Sequence, residues 1–244
     1  MAKNRTPTPT DRRDKPVAVS PRGEIDAFLA QVQSLAPAKS AGPRGRMIFA
    51  LDATMSRQPL WDVACTLQAD MFREAAGIGG LDVQLVYYRG ISECRASRWV
   101  SDPRELAGLM ERIDCRGGRT QIRKMLSHVQ RESEKQPVQT LVFVGDAMEE
   151  PIDDLCAAAG VLGLKGVPAF VFQEGHDPVA ERAFREIARL THGAYGRFDP
   201  GAANHLAELL RAAAAYAAGG VKAMERLLAD RRSDAVKLIE QLRA

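Results

Sequence analysis

The sequence has no long apolar run. Nowhere in its 244 residues does it hold the stretch of about 18 apolar side chains that a membrane-spanning helix needs. The first residues, MAKNR followed by Thr-Pro repeats, also lack the apolar core that precedes the cleavage site of a secretory signal. We therefore expect a cytoplasmic protein with no membrane partner.

Cysteine and histidine are scarce, with four of each. The cysteines form no C-x-x-C pair and have no histidine at zinc-ligand spacing, so we expect reduced thiols in the core. The histidines are far apart in the sequence, and no catalytic triad can be assigned, which favours a protein that is not an enzyme. These residues are Cys65, Cys94, Cys115 and Cys156, and His128, His176, His192 and His205.

The chain has little excess charge outside its first residues. The formal net charge is +3, and residues 1–20 hold five basic against two acidic side chains, which accounts for all of it. The remaining body is neutral, and this argues against a nucleic-acid partner. The tail, rich in proline, threonine and charge, is expected to be disordered.

Strand-like and helix-like segments alternate through most of the chain. Apolar spacing predicts a helix over 24–35, a Pro/Gly/Ala linker over 37–45 and a domain over 46–217. The alternation predicts a doubly wound, mostly parallel six-stranded α/β sheet with helices on both faces. The predicted strands are 46–51, 83–88, 94–100, 140–144, 167–172 and 195–198, and the helices in the domain are 60–75, 103–113, 120–132, 152–162, 178–190 and 202–217.

A helical appendix is predicted over residues 218–244. The chain restarts after Gly219-Gly220, and apolar residues recur at helical spacing over 221–228 and 235–242. A simple cap on the sheet domain is favoured over a helix that binds a partner, although both interpretations remain open.

Residues with hard oxygen ligands lie at three places where strands end or helices begin. Asp52, Thr54 and Ser56 follow the first predicted strand, Thr120 follows a Gly-Gly-Arg loop, and Asp146 follows the strand LVFVG. In a parallel sheet such loops meet at one edge. Two carboxylates with neutral hydroxyls suit Mg²⁺ or Mn²⁺ better than zinc, which prefers His or Cys ligands.

These residues resemble the metal-ion-dependent adhesion site of von Willebrand factor A domains. Asp52, Thr54 and Ser56 fit D-x-[ST]-x-S, Thr120 stands where the family has a separate Thr, and Asp146 matches its later Asp. The resemblance covers about residues 45–217. It includes the segment from Thr191 to Tyr195, which is similar to the family's T-G-G-x-Y.

The resemblance implies a role for each of these positions. Thr54 and Ser56 would ligate the metal directly, Thr120 directly or through water, and Asp52 and Asp146 would support it, often through water. It further implies a protein-binding module whose cation accepts an Asp or Glu from a partner. Such a module could be an adaptor in an ATPase or chaperone complex.

The sequence departs from the family pattern beside Asp146. Ala147 follows where the family often has Gly, and Glu149-Glu150 come soon after. The acidic pair could change the ligand preference, but acidic residues at a solvated helix N-terminus are the favoured interpretation.

Other classes of function fit less well. A haloacid-dehalogenase-type phosphohydrolase that uses Asp52 would need a second Asp at position 54, where the chain has Thr. A receiver domain would need an acidic pair from an earlier strand, and the loop CRGGRT lacks the G-x-x-x-x-G-K-[ST] of an ATP site. A structural domain without a functional metal remains an alternative.

Overall fold

The computed structural model describes residues 22–33, 44–54, 58–199 and 202–241. The basic tail, most of the linker after the first helix and the segment that contains Ser56 lie outside these residues. The helices are α1 (Arg22–Gln33), α2 (Gln58–Ala76), α3 (Pro103–Met110), α4 (Ile122–Lys135), α5 (Ile152–Lys165), α6 (Pro178–Leu190) and α7 (Ala203–Gln241). The strands are β1 (Gly45–Asp52), β2 (Leu81–Arg89), β3 (Glu93–Val100), β4 (Thr140–Gly145), β5 (Ala169–Glu174) and β6 (Ala194–Phe198).

The six strands form one sheet in the order β3-β2-β1-β4-β5-β6. All neighbouring pairs are parallel except β2 and β3, which form an antiparallel hairpin. The chain builds outward from β1 in one direction through β2 and β3, then crosses to β4 and builds in the other direction. The predicted doubly wound, mostly parallel sheet is confirmed, and its switch point lies between β1 and β4.

Both faces of the sheet are covered. Every residue of β1 and of β4 is buried, as expected for central parallel strands between two helical layers. One face packs against α1, α2, α3 and α7 and the other against α4, α5 and α6. The helices thus leave the carboxyl ends of the strands to the connecting loops. The loops meet at this end of the sheet, the carboxyl edge.

Helix α1 covers the end of the sheet at β6. Phe28 is fully buried and contacts the rings of Phe170 and Phe172 edge-on, with centroids 5.7 and 5.3 Å away. The Tyr195 N–H donates to Gln31 Oε1 at 3.0 Å, which satisfies a backbone donor on an edge strand that could otherwise pair with another chain. The predicted first helix is therefore an integral part of the sheet domain.

Several helix boundaries differ from the sequence prediction. Helix α3 ends at Met110 rather than at residue 113, and α5 extends to Lys165 rather than ending at residue 162. Helix α4 begins at Ile122 rather than at Thr120, because Gln121 adopts a non-helical conformation. The last helix continues past residue 217 to Gln241, with a break at Gly220, whose φ of 67° and ψ of −161° lie outside the helical region. The predicted glycine interruption is thus a kink between two helical segments.

Candidate functional site

The two aspartates predicted to support a metal lie at the switch point of the sheet. In the parallel pairing of β1 with β4, Leu51 lies opposite Val144. Asp52 is therefore the last residue of β1 and Asp146 directly follows β4, at adjacent strand ends. Asp52 is only 2% exposed. A ligand that contacts both carboxylates would sit in the crevice where open α/β sheets usually bind their ligands.

The loop after β1 is folded back on its own aspartate. The Thr54 N–H donates to Asp52 Oδ1 at 2.8 Å, a local turn that fixes the carboxylate beside the following residues. Ala53 is held from both sides, because its N–H donates to the Tyr88 carbonyl and its carbonyl accepts from the Arg116 N–H. Ser56, the third predicted residue of this loop, lies outside the described residues.

Thr120 and the loop after β4 are joined by two reciprocal hydrogen bonds. The Glu149 N–H donates to Thr120 Oγ1, and the Thr120 N–H donates to Glu149 Oε2, both at 3.0 Å. Thr120 is 7% exposed. Because Glu149 lies three residues after Asp146, these bonds bring the separate Thr to the same edge as the two aspartates.

Glu150 caps the neighbouring helix α4. Its carboxylate accepts from the Ile122 N–H at 2.5 Å and from the Arg123 N–H at 3.0 Å. Gln121, the N-cap residue of α4, makes no side-chain capping bond, so Glu150 satisfies donors that a local cap would normally serve. Glu150 therefore does lie at a helix N-terminus, as interpreted from the sequence, but it caps α4 and not the helix that follows it, while Glu149 bonds to Thr120.

The Gly-Gly-Arg loop packs against the turn between β2 and β3. An alanine Cβ at Gly118 would overlap the backbone of Gly90, and the Arg119 N–H donates to the Gly90 carbonyl at 3.0 Å. The Gln121 amide donates to the carbonyls of Arg89 and Glu93 at 3.2 Å each. Gly118 therefore allows close backbone approach to Gly90, and these contacts hold the loop that carries Thr120 in place.

Neither a family model nor a curated protein matches the chain. Similar solved structures identify the fold of its sheet and helices. An aerotolerance-related membrane protein from Bacteroides fragilis aligns with a TM-score of 0.53 and 19% identity, over 68% of this chain and 96% of that one. The von Willebrand A domain of SpRpn10 aligns with a TM-score of 0.53 and 12% identity, over 72% and 98%. The chain has a von Willebrand A fold.

A third solved structure with a similar fold is a mutant of the PilB minor pilin from Streptococcus sanguinis. It aligns with a TM-score of 0.52 and 12% identity, over 72% of this chain and 60% of that one. At such low identities the likeness concerns the fold, so the chemistry of the edge must be argued from this chain's own residues.

The ligand chemistry of the edge of this von Willebrand A fold fits a hard cation. The described residues that meet there offer the carboxylates of Asp52 and Asp146 and the hydroxyls of Thr54 and Thr120. A hydroxyl has two lone pairs, so Thr120 can accept from Glu149 and still act as a ligand. In the described part of the chain, no three His, Cys, Asp or Glu side chains cluster as a metal group.

The histidines are engaged separately in the fold. His128 Nε2 lies 2.8 Å from Gln84 Oε1, and His176 Nε2 lies 3.1 Å from Asp199 Oδ1. His192 adopts a positive φ of 53°, and His205 is buried, where loss of hydration lowers its pKa. His128 and His176 thus contact side chains other than those of Asp52, Thr120 and Asp146.

The cysteines whose side chains are described are buried to different extents. Cys115 is buried, and Cys94 and Cys156 are half-buried free thiols, while the side chain of Cys65 is outside the described part. Within the same part of the chain, no helix combines the length and apolar character needed to span a bilayer. The sequence did not reveal the role of Gln121 at the edge, nor the residues that Glu149 and Glu150 contact.

Replacing Glu150 tests whether its carboxylate, in the loop after β4, caps helix α4. We expect Glu150→Ala to lower the free energy of unfolding by about 1–2 kcal/mol, because the N–H groups of Ile122 and Arg123 lose a charged acceptor. Glu150→Gln keeps one acceptor oxygen and should lose less. Urea denaturation measures both, with Glu225→Ala on the exposed face of α7 as the control. Equal stability of all four proteins would contradict the cap.

Proposed function

We propose that the carboxyl edge of the sheet binds Mg²⁺ or Mn²⁺ and, through that ion, an acidic residue of a partner protein. The metal ligands would be Asp52, Thr54, Ser56, Thr120 and Asp146, directly or through water. The observation that carries the proposal is the meeting of three loops at the switch point. There Thr120 is bonded to the loop that contains Asp146, beside Asp52 at the end of β1.

The choice of ligands favours binding to an anionic partner. Hydroxyl oxygens are neutral, so two carboxylates and three hydroxyls would leave a divalent cation electrophilic and able to accept another anionic oxygen. An Asp or Glu from outside meets that need, and the surrounding loops would set its affinity, because Mg²⁺ gives up its water reluctantly. An adaptor role in an ATPase or chaperone complex is our proposal for the partner class.

The proposal assigns no catalytic residue. Thr54 occupies the position two residues after Asp52 where a phosphohydrolase of the haloacid-dehalogenase type would need its acid–base Asp. A phosphatase screen tests this part of the proposal. Turnover by the wild-type protein that Asp52→Asn abolishes would instead assign an enzyme.

Mn²⁺ titration by calorimetry tests the metal site directly. We expect the wild-type protein to bind one ion, and Asp52→Ala and Thr120→Val each to weaken the affinity at least about tenfold, since even outer-shell partners of metal ligands contribute that much. Thr120→Ser retains the hydroxyl and should restore binding. The matched controls are Asp62→Ala and Thr66→Val on the exposed face of α2, which should bind like the wild type.

Two outcomes would contradict the metal site. One is the absence of Mn²⁺ or Mg²⁺ uptake by the wild-type protein. The other is unchanged uptake in Asp52→Ala. Circular dichroism of each variant would show whether a loss of uptake came from loss of fold. Capture of a partner in Mg²⁺ but not in EDTA, with mass spectrometry of what is retained, then tests the metal-dependent interaction. Capture that is equal in EDTA would favour a structural domain.

A further inference from the structure

A strongly basic cavity lies on the side of the sheet, between the edge strand β3 and helix α4. Its volume is about 340 Å³, at the lower end of the range of small-molecule sites. Four cationic side chains line it and no carboxylate does: Arg95, Arg123, Lys124 and Arg131. It contains none of the five residues of the proposed metal site.

The cations come from one strand and from one face of a helix. Lys124, Ser127, His128 and Arg131 follow each other at three- and four-residue spacing on α4, so they share one face. Arg95 faces the same cavity from β3. This arrangement concentrates positive charge on a surface of a chain whose body is neutral overall.

Two of these cations form no ion pair within 4 Å among the described residues, although Arg131 lies near enough to Glu134 to lower the pKa of that carboxyl. Arg95 pairs with Glu93 at 2.8 Å and Arg123 with Asp154 at 3.9 Å. Lys124 donates to the Ser92 carbonyl and to Gln121 Oε1, which are neutral. Across the described residues, neither Lys124 nor Arg131 forms an ion pair within 4 Å. About two positive charges therefore remain for a ligand.

The other lining residues of the cavity do not neutralise it. Val86 and Ala96 are apolar. Burial raises the pKa of the Cys94 thiol to about 11, while Lys124 and Arg131 lower it and Glu150 raises it. The thiol is thus neutral at physiological pH. The Ser127 hydroxyl adds a hydrogen-bond donor beside the cations.

We propose that this cavity binds the phosphoryl group of a phosphorylated small molecule. A phosphate monoester carries a charge between about −1.5 and −2 near neutral pH and has three acceptor oxygens, which matches two unpaired cations and several N–H donors. A single carboxylate would neutralise only one cation. Guanidinium groups bind phosphate oxygens in pairs, and the cavity provides three of them.

Calorimetry with inorganic pyrophosphate tests the proposal. The full chain is titrated in metal-free buffer, so that the result does not depend on the candidate metal site. We expect one pyrophosphate per chain, and a loss of affinity of about tenfold or more in Lys124→Ala and in Arg131→Ala, each of which removes a charged hydrogen bond. Arg226→Ala, on the exposed face of α7, removes the same charge elsewhere and should bind like the wild type.

Three results would overturn the proposal. Pyrophosphate could give no binding heat, or Arg226→Ala could weaken binding as much as Arg131→Ala, which would indicate only long-range attraction. A short oligoglutamate peptide could also bind more tightly than pyrophosphate, and the occupant would then be an acidic peptide. Circular dichroism of the variants separates loss of binding from loss of fold.

Discussion

Phe28→Ala is expected to lower the free energy of unfolding by about 3–5 kcal/mol, the usual loss for a buried phenylalanine. The Phe28 side chain is fully buried between α1 and the sheet and contacts Phe170 and Phe172. Its removal would leave a cavity lined by aromatic rings. Because typical domains are stable by only about 5–15 kcal/mol, this one contact supports a large share of the stability.

The loss of the Phe28 side chain should also change hydrogen exchange at the edge strand β6. Helix α1 supplies Gln31, which accepts from the Tyr195 N–H, and Glu24, which pairs with Arg197 at 2.6 Å. If α1 detaches in Phe28→Ala, the Tyr195 amide should exchange faster with solvent than in the wild type. Urea denaturation and hydrogen exchange together distinguish global destabilisation from local detachment of α1.

The control for this prediction lies on the same helix. Asp26 is exposed, so Asp26→Ala should change the stability by no more than about 0.5 kcal/mol. A loss below about 1 kcal/mol in Phe28→Ala, with unchanged exchange at Tyr195, would mean that α1 does not contribute to the core.

The fold was predictable because its strands and helices carry strong local patterns. The apolar strands β1 and β4 end at Asp52 and just before Asp146, and parallel strands bring their carboxyl ends to one edge. The juxtaposition of the two aspartates could therefore be predicted without knowing any contact. Thr120 could be placed only approximately, since a family pattern pointed to it while periodicity put it inside a helix.

The bonds that hold the edge together could not be predicted in the same way. Glu149 and Glu150 contact residues 27–29 positions earlier in the chain. Such long-range hydrogen bonds depend on how two loops pack, and helical or strand periodicity carries no information about that. The start of α4 moved to Ile122 for the same reason, because its cap comes from another loop.

The net charge of the sequence did not reveal the basic cavity. A sum along the chain gives a neutral body, since acidic residues elsewhere balance the four cations of the cavity. Pairing β3 with β2 and packing α4 beside them bring Arg95 next to Lys124 and Arg131. Local charge density is a property of the fold, whereas net charge is a property of composition.

Gly193→Ala should be the most disruptive single-methyl substitution that we propose, with a loss of roughly 3 kcal/mol. Gly193 stands directly before β6, and an alanine Cβ there would overlap the Ala169 carbonyl oxygen. It would also lie 2.6 Å from the carbonyl carbon and 2.7 Å from the nitrogen of the same residue. These are backbone atoms at the start of β5, so they cannot rotate away as a side chain would.

The contacts of the segment from Thr191 to Tyr195 explain why the T-G-G-x-Y pattern needs a small residue at position 193. Thr191 Oγ1 accepts from the Ala169 N–H and donates to the Ile187 carbonyl, which ties the end of α6 to β5. His192 takes the left-handed conformation, with φ of 53°. The two positions that resemble the glycines of T-G-G-x-Y therefore differ in role: the first needs conformational freedom, while the second needs space against Ala169.

The same substitution at Gly160 should have the opposite effect on stability. Gly160 lies within α5, and an added Cβ would meet nothing within 4 Å, so Gly160→Ala should stabilise the protein by about 1 kcal/mol through helix propensity. Thermal and urea unfolding of the two variants measure the difference. A neutral Gly193→Ala would mean that β6 can shift away from β5, and the pairing of Phe170 with Ala194 would then not fix the last strand of the sheet.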